Sequence, residues 1–252
     1  MCWAAQSSNM LGYWQNLYVA AGNTLSERTP SGNEEIYGYF TSNWTDNTGN
    51  SVLAIPWYMT GDFIDGYDGT SSLNEGADAA GFFTALYPTS DDLFNYDTDW
   101  NPTGDFQYFY HTEEVFPDYF LSYSTFSRIL ISKLSGNSVV GLGVELSGTQ
   151  NGGHAVTLWG CDYNDAGLVT TIYITDSDDR WTGIKPITLS GDDSNIYLTD
   201  YLNDGTTVSV ADFSTLSVDR FLLQIPEPSA FGLLAGTLAL ALVSVRRRRK
   251  IS

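Results

Sequence analysis

Apolar residues recur at helical spacing in three parts of the chain. In residues 3–19 they follow the period of an α-helix, and Gly22 lies where such a helix would end. Residues 118–134 predict the clearest central helix, which Gly136 would stop. Residues 72–86 predict a further helix from a weaker pattern. The sequence thus predicts one helix at its start, one in its first half and one near its centre.

Short β-branched runs separated by Gly, Asn and Asp predict strands in the second half of the chain. These runs are residues 139–146, 154–160, 168–175, 206–210 and 220–225. Residues 164–167 predict a hairpin turn. Residues 22–70 predict irregular chain with extended pieces such as 51–58, and residues 88–105 an acidic loop. Because helices precede antiparallel strands and no repeat is present, we expect one α+β domain over residues 1–225.

An uncharged apolar segment, residues 229–245, follows this domain. As a helix it would be about 25 Å long, which is at the short end for a membrane span. The basic run 246–250 comes next, and basic residues favour the cytoplasmic side of a membrane. A core helix is the alternative, but the segment is apolar all round and is followed by five cationic residues. The pattern therefore predicts a C-terminal transmembrane helix over about residues 229–245.

The charge of the chain excludes one class of partner. Its 252 residues include 30 acidic and 11 basic side chains, for a net charge of −19. Five of the basic residues belong to the C-terminal run, so the body of the protein is strongly acidic. Binding to a phosphate backbone requires clustered Lys and Arg, so the acidic body of the protein argues against nucleic acid as a partner. Two cysteines are too few for a disulfide scaffold or a four-thiolate zinc site.

The C-terminal segment resembles a known sorting signal. Pro226-Glu227-Pro228, the apolar segment and the arginine run stand in the order of a PEP-CTERM signal, over residues 226–250. The resemblance implies export, anchoring in the inner membrane of a Gram-negative envelope, and release to the surface after cleavage by an exosortase. An exported protein needs an N-terminal signal peptide, and the residues after Met1 do not form one. We therefore expect the N-terminus to be incomplete.

Three residues have positions suited to nucleophilic chemistry. Cys2 stands at the start of the first predicted helix, where free N–H groups and the helix dipole stabilise a thiolate. His154 follows two glycines and opens a predicted strand, and Asp176 closes the next strand. In an antiparallel pair these two positions share one sheet edge, where the carboxylate could orient the imidazole. Each also has a structural interpretation: a chain start, a strand-end histidine and a solvated acidic turn.

Competing assignments involve other residues. His111 lies among bulky aromatic residues without a small-residue approach, so His154 is favoured as a base. Asp176, Asp178 and Asp179 could bind calcium, but the EF-hand pattern is absent. Strand alternation places Cys161 on the face opposite His154, which favours a buried free thiol over a disulfide with Cys2.

Three ordered segments resemble the immunoglobulin-G-degrading cysteine endopeptidases of the IdeS/Mac type. They are CWAA…NML…W from Cys2, HAVTLWG from His154, and IYITDSD, which contains Asp176 and Asp178. The resemblance implies a papain-like α+β fold in which an N-terminal active-site helix and a central helix pack on a mainly antiparallel sheet. It also implies that Cys2 is the nucleophile, His154 the general base and acid, Asp176 the orienting carboxylate and Asp178 a supporting acid.

The same resemblance implies hydrolysis of peptide bonds in a protein or peptide through an acyl-thioester, with no cofactor. The Cys2 N–H would donate to the oxyanion. In the family a side chain upstream of the cysteine completes the oxyanion hole, and here only Met1 precedes Cys2. Loss of such a donor typically lowers turnover by ~10²–10³. The alternative is a catalytically silent domain that binds peptide or polysaccharide at the cell envelope with the same groove.

Overall fold

The computed structural model describes most of the chain before residue 219. The described residues are 1–45, 51–63, 69–96, 102–110, 122–145, 153–177, 183–192, 195–199, 201 and 207–218. All structural statements below concern these residues.

The described residues contain five α-helices and one 3₁₀ turn. The helices are α1 (Cys2–Ala20), α2 (Gly32–Asn43), α3 (Ser51–Thr60), α4 (Ser90–Leu93) and α5 (Tyr123–Ser135), and the 3₁₀ turn is Thr70–Ser72. Helix α1 is the centre of one core, in which Leu11 and Trp14 are fully buried with aromatic residues of α2 and α3. Ser122 caps the start of α5 by accepting from the Thr125 N–H, and the helix ends at Gly136 as predicted.

Within the described ranges, nine strands form a small ribbon and one large antiparallel sheet. They are β1 (Asn95–Tyr96), β2 (Pro102–Thr103), β3 (Phe106–Tyr110), β4 (Val139–Glu145), β5 (Gly153–Tyr163), β6 (Val169–Thr175), β7 (Lys185–Gly191), β8 (Ile196–Thr199) and β9 (Thr207–Leu216). The large sheet runs β3-β9-β4-β5-β6-β7-β8. The first residues of β9 also pair with β8, so six of these strands close into a cylinder. Branched aliphatic residues such as Val156, Ile174 and Leu189 fill its interior.

This closed sheet corrects the predicted fold. The described residues form a six-stranded antiparallel cylinder with a few helices, so the prediction of a papain-like α+β fold is wrong. The sequence analysis assigned no strands to residues 183–199, and β7 and β8 lie there. Each of these strands buries only two apolar side chains in the cylinder, too few to give a strong β signal. They are nevertheless the strands that close it.

Two predictions for the first half of the chain were also wrong. Residues 22–70 were expected to be irregular, with extended pieces such as 51–58, but helices α2 and α3 lie in this range. Helix α3 is buried on every side, so its sequence lacks the apolar–polar alternation of a surface helix. Residues 72–86 were expected to be helical, but only Thr70–Ser72 forms a 3₁₀ turn. Gly76 and Gly81 have φ values of 80° and 81°, which a right-handed helix does not allow.

No helix within the described ranges has the length and apolar character required to cross a membrane. Residues 229–245, for which a transmembrane helix was predicted, lie outside those ranges.

Candidate active site

Helix α1 brings Cys2 to one edge of the cylinder. Cys2 is the first helical residue and Met1 is the N-cap, so the Cys2 N–H has no acceptor within the helix. The side chain is partly buried. The thiol accordingly lies at the positive end of a helix that packs against β4, β5 and β9.

His154 and Asp176 meet at the same edge. Strands β5 and β6 are antiparallel neighbours, with Thr157 opposite Thr175, so the start of one lies beside the end of the other. His154 is the second residue of β5, and Asp176 directly follows β6. The His154 Nε2 and Asp176 Oδ1 atoms are 2.7 Å apart, and the two side chains are only 6% and 7% exposed. A pair this short and this buried orients the ring strongly.

Cys2 completes a chain of hydrogen bonds with these two residues. Nε2 of His154 is engaged by Asp176, so Nδ1 is the ring nitrogen left for the Cys2 thiol. Burial alone would raise the pKa of that thiol. The hydrogen bond with His154, the Ala155 N–H, the His154 charge and the Trp3 N–H outweigh this effect, and the net pKa of Cys2 is lowered. The site therefore favours the thiolate.

The pKa of His154 is shifted in the opposite direction. Its burial would lower the imidazole pKa, but hydrogen bonds and charge interactions with Asp176 and Cys2 raise that pKa to about 10. A lowered thiol pKa beside a raised imidazole pKa describes a thiolate–imidazolium pair. In this pair the sulfur is a nucleophile and the ring carries the proton that a leaving group needs.

Two amides of α1 hold the helix that carries Cys2 against the strands. Gln6 is 4% exposed, and its Nε2 donates to Leu142 O at 3.0 Å and to Val156 O at 2.9 Å. Asn9 Nδ2 donates to Thr157 Oγ1 at 3.1 Å. Gly141 admits the helix, since a Cβ there would lie 2.6 Å from Gln6 Cδ. These contacts set the distance between the thiol and the strand that carries His154.

The sequence analysis missed Tyr201. This residue follows β8, is 3% exposed, and donates from its hydroxyl to Asp176 Oδ2 at 2.5 Å. Lys185, the first residue of β7, donates from Nζ to Tyr201 O at 3.0 Å. Neither residue belongs to a motif, and the strands that place them were not predicted. No signal in the sequence identified them.

The other predicted residues lie outside the described ranges or elsewhere on the sheet. Asp178, Asp179 and His111 lie outside the described residues. No group of acidic, histidine or cysteine side chains suited to a metal ion occurs within the described ranges. Cys161 is a free, partly buried cysteine. The register of β5 shifts between Leu158 and Gly160, and Cys161 packs with the core inside the cylinder, as Val156 and Leu158 do. The bulge thus changes the face that simple alternation predicted.

Comparison with known proteins gives a partial match. A model of the Mac 1 family matches residues 90–214, just under half of the chain. A search of curated proteins gives no match. The PEP-CTERM resemblance is corrected: the family match ends at residue 214, and residues 226–250 lie outside the described residues, so neither supports that signal.

The matched residues include His154 and Asp176 but not Cys2. They extend from α4 to within β9 and so contain almost the whole cylinder. The match is consistent with a peptidase and with a protein as its substrate. Over residues 90–214 the chain is similar to the Mac 1 family, in agreement with the IdeS/Mac-type resemblance of its sequence.

Proposed function

We propose that this protein is a cysteine endopeptidase in which Cys2 is the nucleophile, His154 the general base and acid, and Asp176 the orienting carboxylate. The observation that carries the proposal is the hydrogen-bonded chain from Cys2 through His154 to Asp176, with its 2.7 Å imidazole–carboxylate contact. The similarity of residues 90–214 to the Mac 1 family supports it. We assign the catalytic unit to residues 1–225, since α1 and the cylinder share an extensive interface.

In the first half of the reaction, the Cys2 thiolate attacks the carbonyl carbon of the scissile peptide bond. The carbonyl π electrons move to oxygen and form an oxyanion, to which the Cys2 N–H donates. When this intermediate collapses, the C–N bond breaks and His154 gives its proton to the leaving amine. The products are a free amine and an acyl-thioester on Cys2.

In the second half, neutral His154 removes a proton from water while the oxygen attacks the thioester carbonyl. Collapse of the second tetrahedral intermediate breaks the C–S bond and releases the carboxylic acid. The sulfur leaves as a thiolate and the proton stays on His154, which restores the ion pair. Asp176 Oδ1 accepts a hydrogen bond from His154 Nε2–H throughout and stabilises the imidazolium.

The test is the rate of iodoacetamide alkylation of Cys2 between pH 4 and 9, scored by peptide mass spectrometry. We expect rapid alkylation at pH 5 that is lost in His154→Ala. Cys161 provides an internal control, because burial and the nearby Asp162 carboxylate raise the pKa of its thiol. Cleavage of a labelled unfolded protein should depend on Cys2 in the same way, with Cys161→Ser as the matched control variant.

A Cys2 that titrates near the ordinary thiol value of 9.0 and ignores His154→Ala would overturn the proposal. The domain would then be the catalytically silent binder of peptide or polysaccharide. Asp178, the predicted supporting acid, is tested in the same experiment with the variant Asp178→Asn. We expect this variant to cleave the substrate more slowly, while Cys2 is still alkylated faster than Cys161.

A further inference from the structure

We propose that Tyr201 is a positioning residue that holds the Asp176 carboxylate in the orientation in which it bonds His154. This inference rests on the proposed function. Tyr201 Oη donates to Asp176 Oδ2 at 2.5 Å, while Asp176 Oδ1 lies 2.7 Å from His154 Nε2. Each carboxylate oxygen therefore has its own partner.

Asp176 needs such a partner because of its place in the fold. It is the first residue after β6 and follows Thr175, the last β6 residue that pairs with β5. Rotation about the bond to its carboxylate carbon would exchange the two oxygens or turn both away from the ring. A donor on Oδ2 leaves Oδ1 directed at the imidazole. The hydroxyl therefore determines which carboxylate geometry His154 meets.

Tyr201 is itself fixed at both ends. Its side chain is 3% exposed and its ring centroid lies 6.4 Å from that of His154. Lys185 Nζ bonds the Tyr201 carbonyl at 3.0 Å and lies 5.6 Å from the ring centroid. A buried phenol with an anchored backbone holds its hydroxyl in one position.

Several described groups lie around His154. Cys2 approaches from α1, Asp176 from the end of β6, and Tyr201 from the turn after β8. Lys185 on β7 adds a positive charge beside Tyr201. The Tyr201 hydroxyl bonds the Asp176 carboxylate and through it influences His154.

The test is the titration of His154 by NMR in protein labelled at the imidazole nitrogens. The chain contains two histidines, so one His111→Gln sample assigns both signals. Tyr201→Phe keeps the ring and removes only the hydroxyl. We expect it to lower the pKa of His154 by about one unit. The matched control is Tyr173→Phe, which removes a Tyr–Asp hydrogen bond of 2.7 Å to Asp162 on the outer surface. We expect no change in the control.

A double-mutant cycle separates positioning from packing. In an Asp176→Asn background the added Tyr201→Phe change should leave the pKa of His154 where Asp176→Asn alone puts it. An unchanged His154 titration in Tyr201→Phe, or an equal shift in both backgrounds, would overturn the proposal. The titration does not depend on peptidase activity. If wild-type Cys2 fails the alkylation test, the proposed function is overturned, while the titration of His154 still decides the role of Tyr201.

Discussion

Replacing Cys2 by serine tests whether the proton of the resting site lies on His154 or on the sulfur. The two possibilities differ in how the free energy of unfolding depends on pH, because that slope counts the difference in bound protons between unfolded and folded chains. Serine removes the ionisable thiol and keeps a small polar side chain. Asp176 Oδ1 remains 2.7 Å from His154 Nε2 in either case.

For the wild-type protein, the ion pair holds one proton, on His154. Between pH 6.5 and 9.0 the unfolded chain also holds one at these two positions, because its imidazole is neutral and its thiol is protonated. The lowered Cys2 pKa adds stability as the pH rises, and the raised His154 pKa removes it. The two contributions cancel, so stability is flat wherever folded Cys2 is a thiolate.

In Cys2→Ser the cancelling contribution is gone. A raised imidazole pKa stabilises the fold fully below 6.5, and that stability is lost as the pH rises through the folded value. A contact with a carboxylate typically shifts a pKa by about 1–3 units, which burial of His154 partly opposes. At ~1.4 kcal/mol per unit we expect Cys2→Ser to lose about 1–3 kcal/mol relative to wild type between pH 6.5 and 9.0.

The assay is urea unfolding at a series of pH values in that range, followed by tryptophan fluorescence. Cys161→Ser is the matched control, because the Cys161 pKa is raised and its thiol stays protonated in the folded and unfolded chains alike. The control should follow the wild-type curve. If wild type and Cys2→Ser instead change in parallel, the thiol holds its proton at rest and the ion pair does not exist.

Three further predictions concern the contacts that position the site. Gln6→Met removes two buried hydrogen bonds of 3.0 and 2.9 Å and should lower the free energy of unfolding by about 1–3 kcal/mol. Gln107→Met, at a partly exposed position, should lower it by less than ~0.5 kcal/mol, and equal losses in urea unfolding would contradict the assignment. Gly141→Ala would place a Cβ 2.6 Å from Gln6 Cδ, so we expect a loss of about 1–3 kcal/mol and slower Cys2 alkylation, and an alkylation rate equal to wild type would count against the close packing. Gly81→Ala imposes a side chain at φ 81° and should cost about 1–2 kcal/mol in thermal unfolding without slowing Cys2 alkylation; an unchanged Tm would contradict the strained geometry.

Much of the site could be predicted from the sequence, because its residues lie at the ends of helices and strands that have clear sequence patterns. Strands β4, β5 and β6 are short apolar runs separated by glycine and turn residues, so their limits could be predicted within a few positions. Antiparallel pairing then places His154 near Asp176 by geometry alone. The position of Cys2 could be predicted from the start of the first helix alone, because the apolar residues of α1 recur at helical spacing.

The closure of the sheet could not be predicted, and for a physical reason. Strands β7 and β8 are stabilised mainly by the strands on either side, and their inward side chains are few. Tyr201 depends on that closure, since the turn after β8 carries it to Asp176 from 25 residues away in sequence. Such a contact leaves no local pattern. The buried helix α3 was not predicted for the opposite reason, because an element that is apolar all round shows no helical period.

The site combines residues from two parts of the fold that are held in place by different kinds of contact. Strands β5 to β8 form one hydrogen-bonded surface, so His154, Asp176 and Tyr201 keep their relative positions as long as the cylinder is intact. The sulfur comes from α1, outside the cylinder, and its distance from the imidazole depends on a helix docked by side chains such as Gln6. A displacement of that helix by about 1 Å would separate the thiol from the imidazole while leaving the histidine–aspartate pair unchanged. The buried amide and the glycine that admits it therefore belong to the chemistry of the site as much as to the stability of the fold.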